Sequence, residues 1–257
     1  MSALNVLSLF TGIGGLDLGL ERAGMRVVGQ VEIDPFCRSV LARHWPEVPC
    51  HDDVRTAPTW WTQRPRPAVH VVAGGFPCQP FSTAGRRRGV ADTRWGWPWF
   101  LDVVRAVRPR YVLVENVAAL LRDRVAFGWL LGDLAALGFD AQWSVLSACA
   151  VGAPHVRERL FVVAHPHGEH GPLRLADPRQ PRRRHRQAHA PVSDRAGAWV
   201  HPENGLMEAE RRSRRVVDGV PDRLEPARVR ALGNAVVPHV AEVVGRLIAA
   251  HHRQHAG

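Results

Sequence analysis

Lysine is absent from the chain. All 34 basic residues are arginine, they outnumber the 24 acidic residues, and the net charge is +10. Codon bias of the kind that also enriches Ala, Gly and Pro is one explanation. The physical consequence holds whatever the origin: a basic chain favours polyanions, and arginine's planar fork suits phosphate and guanine edges. Nucleic acid is the partner class this points to. Cysteine is scarce. Cys37, Cys50, Cys78 and Cys149 form no CxxC pair and no Cys/His spacing of the zinc kind. This argues against a disulfide framework or a structural metal and for a reduced, intracellular protein. No apolar run approaches the roughly 18 residues a membrane span requires. The first residues, MSALNVLSLFTGIGG, carry no basic leader and reach Asp17 early, so a soluble, cytoplasmic protein is expected. No internal repeat is present, which sets aside solenoid architectures.

What the chain does have is material for one sizeable core, 257 residues at 46% hydrophobic composition. Residues 4–9 followed by FTGIGGLDLGLERAG read as strand, glycine turn and helix, with Leu16, Leu20 and Ala23 at helical spacing and Gly24 as the stop. RVVGQV, residues 26–31, reads as a second strand that ends in Glu32-Ile33-Asp34-Pro35, and residues 36–45 as a helix. Further strands are expected at 68–73, 111–114 and 160–164, and helices near 97–107 and 126–137. The alternation predicts an α/β fold over residues 1–165, with a mostly parallel sheet covered on both faces.

From His165 the texture changes. Residues 166–225 are dense in Pro, Arg and His and poor in large apolar residues, the composition of a loop-rich small module or a partly disordered segment. Order is expected to resume near Pro226, where PARVRALGNAVVPHVAEVVGRLIAAHH ends in an amphipathic helix carrying Val240, Val243, Val244 and Leu247.

Three places carry candidate chemistry. The turn Phe10-Thr11-Gly12-Ile13-Gly14-Gly15 follows a strand and opens a helix, where backbone amides can face a bound group; Glu32, about 20 residues on, lies where a ribose would offer its hydroxyls. Turn and acid together favour an adenosine-containing cofactor over a purely structural turn, without saying which. GGFPCQPFS, residues 74–82, sets Cys78 between Pro77 and Pro80 just after an apolar run, the setting of an exposed nucleophile rather than of a packed thiol. YVLVENV, residues 111–117, delivers Glu115 at the far end of another apolar strand. A thiolate adding at C6 of a pyrimidine needs an electron-poor ring, and a carboxyl group bonding at ring N3 supplies that. Both groups then lie on the rim where open α/β sheets build sites.

FTGIGG, the acid in VEIDP, Asp53 in HDDVR, GGFPCQPFS, DTRWG, ENV, GAPHVRERLFVVA and RALGNAVVP occur in this order along nearly the whole chain. In these pieces the chain resembles the DNA (cytosine-5)-methyltransferases. The resemblance implies a Rossmann-like S-adenosylmethionine-dependent methyltransferase fold with a small target-recognition region. It divides the chain into a catalytic and cofactor-binding domain at 1–165, target recognition at 166–225, and a segment at 226–257 that returns to complete the catalytic domain. Phe10, Gly12, Ile13, Gly14 and Gly15 would line the S-adenosylmethionine pocket, Glu32 with Ile33 beside it would hold the ribose, Asp53 the adenine, and Pro77 and Asn234 would complete it. Cys78 would be the nucleophile, Glu115 would engage N3 and the exocyclic amine, and Arg157 and Arg159 would steady the site. From the residues alone, these two arginines alternate along one strand and so face the same way.

The reaction so implied takes a cytosine out of the stack of double-stranded DNA, adds Cys78 at C6 and methylates C5, in a monomer that needs no metal. The setting would be restriction-modification or protection of a mobile element's DNA. His155 stands where the family often has Gln. Arg86, Arg87 and Arg88 either close over DNA or form an ordinary solvated run. Arg182, Arg183, Arg184 and Arg186 would contact phosphate or guanine. An RNA cytosine-5 methyltransferase of the same fold is the alternative, since the arginine-rich span does not discriminate. An NAD-dependent oxidoreductase explains neither PCQ nor ENV.

Overall fold

The computed structural model describes residues 3–77, 95–153, 157–169 and 226–255. Cys78, the arginines at 86–88, His155 and the arginines at 182–186 lie outside the described residues, as does nearly all of the 166–225 region. In chain order the elements are β1 (Asn5–Leu9), α1 (Gly15–Arg22), β2 (Arg26–Val31), α2 (Pro35–His44), β3 (Cys50–His51), α3 (Ala57–Thr62) and β4 (Val71–Gly74). There follow α4 (Trp97–Val107), β5 (Tyr111–Val117), α5 (Arg124–Ala136), β6 (Phe139–Ser147), β7 (Glu158–Pro166), α6 (Pro226–Asn234) and α7 (Pro238–His255).

The strands form one sheet in the order β3-β2-β1-β4-β5-β7-β6. β1 to β5 pair in parallel, and β7 runs antiparallel between β5 and β6. The apolar run of β5 is explained by burial on both faces, with alternate residues entering two different cores. Leu7, Leu9, Val72, Val112 and Val114 pack under α3, α4 and α5 against Trp61, Trp97, Phe100 and Leu130. Val6, Val71, Ala73 and Leu113 pack on the other face against Leu16 and Leu20 of α1 and Val240, Val244 and Ile248 of α7.

Local chemistry sets where the helices start. The Asp34 carboxylate accepts from Phe36 N (2.8 Å) and Cys37 N (3.1 Å), with Pro35 at the first helical position, and so caps α2. Asp123 does the same for α5 through Val125 N (3.1 Å) and Ala126 N (2.9 Å). α1 and α7 cross closely because glycine faces each helix: Gly19 lies against the Pro238 carbonyl and Ala241, and a Cβ on Gly245 would stand 2.8 Å from that of Ala23. The C-terminal residues therefore cover the same sheet that the N-terminal residues build.

The expected elements are present; β3 and α3 were not expected, β4 covers Val71–Gly74 rather than 68–73, and three further differences have a physical reason. β5 runs to Val117 rather than 114, because β7 keeps pairing with it as far as Val117 opposite Arg159. β6 was not anticipated: its Asp140, Gln142 and Ser144 alternate with Ala141, Trp143 and Val145 on a half-exposed edge strand, a weak apolar signal. On α7 the buried stripe is Val240, Ala241, Val244, Gly245, Ile248 and His251, whereas Val243 is 43% exposed.

At the amino-terminal ends of the parallel strands sits a cluster of aromatic and basic groups. Tyr111 Oη lies 2.9 Å from His251 Nδ1, and the His251 ring stacks on His255 and tilts against His165. Arg110 donates to Glu169 (2.9 Å) and to the His255 carbonyl (3.1 Å), which ties the end of α7 to the sheet.

Candidate active site

The opposite end of the sheet opens into a cleft of about 470 Å³ at the carboxyl ends of β1, β2, β4 and β5. Strand order reverses between β1 and β4, and ligands of open α/β sheets bind at such a switch point. Phe10, Thr11 and Gly12 form one wall. Phe10 (φ 52°) and Gly12 (φ 58°) both adopt the left-handed region, which is costly for phenylalanine, so the turn needs support from its surroundings. Glu32 provides some. Its carboxylate accepts from Gly12 N (2.6 Å) and Asp34 N (2.8 Å), leaving lone pairs for a further donor. Beside it Ile33 is 67% exposed and offers an apolar surface at the rim.

The facing wall is built from β4 and β5. Glu115 pairs opposite Phe161, and Val117 opposite Arg159, so Glu115 and Arg159 are diagonal neighbours on one face. Arg159 Nε stands 3.0 Å from Glu115 Oε1, as a charge contact rather than an aligned hydrogen bond. Burial pushes the Glu115 carboxyl up to about 7, against the opposing pull of Arg159 and then Arg157. A Cβ on Gly75 would lie 2.5 Å from Glu115 Oε2, so a side chain here would displace the carboxyl from its present position. Asn116 donates through Nδ2 to the Phe76 carbonyl (3.1 Å), and its Oδ1 accepts from Val117 N (2.9 Å). This ties the segment Gly75-Phe76-Pro77, which leads directly into Cys78, to β5. Arg230, Ala231 and Asn234 of α6, with Ala235 and Val236 after it, close the remaining side.

Of the residues singled out in the sequence, the structure gathers Phe10, Gly12, Glu32, Ile33, Pro77, Glu115, Arg159 and Asn234 around the cleft. Others lie elsewhere. Gly14 packs beneath Trp45, and Gly15 abuts the Val236 carbonyl, so these glycines serve close packing; Ile13 is not on the cleft wall. Asp53 is not on the cleft wall either, and its carboxylate is paired with Arg55 (2.6 Å). Arg157 precedes β7 rather than alternating within it, and it donates to the Gly233 carbonyl of α6 (2.7 Å). Thr11, Cys37, Asn116 and Arg230 were not singled out as site residues yet line the cleft. Asn116 was legible as the middle of ENV. Arg230 opens the quoted piece RALGNAVVP, but nothing in that piece sets it on the cleft, because only the return of α6 to the sheet brings it there.

The chain matches the sequence pattern of C-5 cytosine-specific DNA methylases over residues 4–208. It belongs to that family. Among curated members it is similar to the type II methyltransferase M2.BsuMI of Bacillus subtilis, 34% identical over 168 residues, which are 63% of this chain and 42% of the relative. It is likewise similar to M.Eco47II of Escherichia coli, 37% identical over 167 residues, 62% of this chain and 39% of the relative. The matched region thus spans less than half the length of these two relatives. In fold it is similar to the S. pombe Dnmt2 methyltransferase, with a TM-score of 0.53 at 24% identity, covering 63% of this chain and 51% of that one. Among the described residues no helix is long and apolar enough to cross a membrane, and no group of three His, Cys, Asp or Glu side chains could hold a metal ion.

Proposed function

We propose that the protein is a DNA (cytosine-5)-methyltransferase of the restriction-modification kind, using S-adenosylmethionine and acting on double-stranded DNA. The observation that carries this reading is the Glu115 carboxyl, half-protonated near neutrality beside Arg159, in a cleft bounded by the residues that lead into Cys78. The cleft suits an adenosine ligand in kind and size. Small-molecule sites occupy roughly 300–1,000 Å³, and here a carboxylate with spare lone pairs, an exposed Ile33 and the Phe10 wall converge. Glu32 would hold the ribose, Ile33 the face of the adenine, and Phe10, Gly12, Pro77 and Asn234 the rest. When bound, S-adenosylmethionine supplies the methyl group.

The chain's own residues do the remaining work. Glu115 presents a proton toward ring N3 of the flipped cytosine and accepts from the exocyclic amine. Arg159 keeps that carboxyl oriented and stabilises it when ionised. The thiolate of Cys78 adds at C6, which makes C5 nucleophilic, and is expelled once the C5 proton has been lost. Arg157 holds α6 through Gly233 and so keeps Asn234 on the cleft.

Bisulfite sequencing of DNA from cells that express the wild-type chain or Cys78→Ala tests the proposal. Methylated cytosines in one sequence context should appear with wild type and vanish with the variant. Methylation that persists in Cys78→Ala sinks the mechanism, and none with either chain sinks the activity.

A further inference from the structure

Directly beneath the cleft wall lies a polar group that the methyl transfer does not use. Asp17, in the first turn of α1, is completely buried. Its Oδ1 accepts from Ser8 Oγ of β1 (2.5 Å) and its Oδ2 from Gln30 Nε2 of β2 (2.7 Å). Ser8 Oγ lies 3.2 Å from Thr11 Oγ1, and Thr11 N donates to the Val31 carbonyl (3.2 Å). The Thr11 hydroxyl has Ser8 Oγ (3.2 Å), the Val31 carbonyl (3.2 Å) and the Ser8 carbonyl (3.3 Å) within reach; donated to Ser8 Oγ, it completes a chain from Thr11 to Ser8 to a carboxylate that also receives Gln30. Its near end is the middle of the left-handed turn Phe10-Thr11-Gly12 that walls the cleft.

An aspartate buried without a cation is expensive unless hydrogen bonds satisfy it, and no described arginine or histidine faces this one. The charged or titratable neighbours are Glu21, one turn on along α1, and Cys50 of β3. Gln30 donates with its amide nitrogen while its Oε1 has no partner among the described residues, so the amide is set for an ionised Asp17. Protonation asks Gln30 to turn over and weakens the directional pull on Ser8 and Thr11.

We propose that Asp17 is a positioning residue for the cleft: through Ser8 and Thr11 its carboxylate holds the strained turn in the form that receives an adenosine ligand, so that affinity follows the ionisation of Asp17. This rests on the cofactor reading above. Burial, ahead of the opposing hydrogen bonds from Ser8 and Gln30, raises the group to about 6, which places the switch in an accessible range. Glu115 lines the same cleft and titrates higher, near 7, so a variant that leaves Glu115 in place isolates the lower step.

The test is calorimetric titration of the full chain with S-adenosylhomocysteine between pH 5 and 8, for wild type, Asp17→Asn and Ser8→Ala, with thermal transitions as a control for folding. Wild type should lose about tenfold in affinity below pH 6, the scale of one hydrogen bond to a charged group. Asp17→Asn should bind at that weaker level throughout, without the step near pH 6. Ser8→Ala should be weakened similarly although Asp17 remains. Wild-type affinity with an unchanged profile in Asp17→Asn overturns the proposal. Should that variant not fold, wild-type affinity in Ser8→Ala overturns it, as does a wild-type profile with no step near pH 6. A wild-type chain that binds nothing at any pH removes the cofactor reading, and this proposal with it.

Discussion

Glu115 is held where ionisation is unfavourable, and the consequence can be measured on stability as well as on catalysis. Its carboxyl sits near 7 in the folded protein against an ordinary value of about 4.5, with burial the main cause. The sign follows from the raised folded value: this group's contribution is fully present below about pH 4.5 and is lost as pH rises through 7. Above 7 the native state carries a penalty of up to about 3 kcal/mol. Glu115→Gln removes it. The variant should lose at least about a hundredfold in methyl transfer, while its thermal midpoint at pH 8 equals or exceeds that of wild type. A lower midpoint at pH 8 would contradict the assigned penalty. Arg159→Met should act oppositely, leaving the carboxyl protonated over more of the neutral range and moving the alkaline limb of the rate profile to higher pH. Phe10, Glu32 and Glu115 were legible as site candidates because each follows or ends an apolar run, and strand ends converge at one rim. The Arg55 partner of Asp53 and the burial of Asp17 were not legible, because both depend on contacts that local spacing does not encode.

At the scale of elements, helical glycines separate by what surrounds them. In α5, Gly128 and Gly132 have open space where a Cβ would stand. Replacing either with Ala should stabilise the protein by about 0.5–1 kcal/mol through helix propensity and reduced freedom of the unfolded chain. Gly19 of α1 looks equivalent in sequence, but its Cβ would strike the Pro238 carbonyl and Ala241 of α7. Gly19→Ala should therefore destabilise by about 1–3 kcal/mol as the helices are forced apart. Chemical denaturation of the three variants checks both directions, and a stabilising Gly19→Ala would refute the close crossing. The same contrast explains what of the fold could be read in advance. Helices and strands with strong apolar periodicity, such as β2 and α4, coincide with their expected ranges. The edge strand β6 was missed because a half-exposed strand alternates small and polar side chains that also suit a loop.

Over the whole molecule the two ends of the sheet respond oppositely to acid. At the cleft end Asp17 and Glu115 have raised values and gain from protonation as pH falls. At the other end burial lowers His251, helped by His255 and His165, and burial with Arg110 lowers His252. For these histidines the stabilising contribution is fully present above about 6.5 and is lost as pH falls from there through their lowered folded values. Hydrogen exchange between pH 7.5 and 5.5 should therefore show protection falling in the last turns of α7 beyond the intrinsic change, with no matching loss in β1. Uniform loss along both would rule out a local cause. His251→Gln should blunt the effect at α7.

The tie between Asn116 and the Phe76 carbonyl has a geometric corollary. Pro77 O also receives Gly96 N at 3.4 Å, so the chain leaves the sheet and rejoins it at α4 through neighbouring fixed points. Consecutive Cα atoms are about 3.8 Å apart, so Cys78 is on a leash one residue long, whatever path residues 78–94 follow. An inserted residue between Pro77 and Cys78 would lengthen that leash and displace the sulfur by several ångströms, whereas insertions farther along the sequence would leave the leash as it is. Linker insertion at successive positions after Pro77 should accordingly abolish methyl transfer abruptly at the first position, with ligand binding retained.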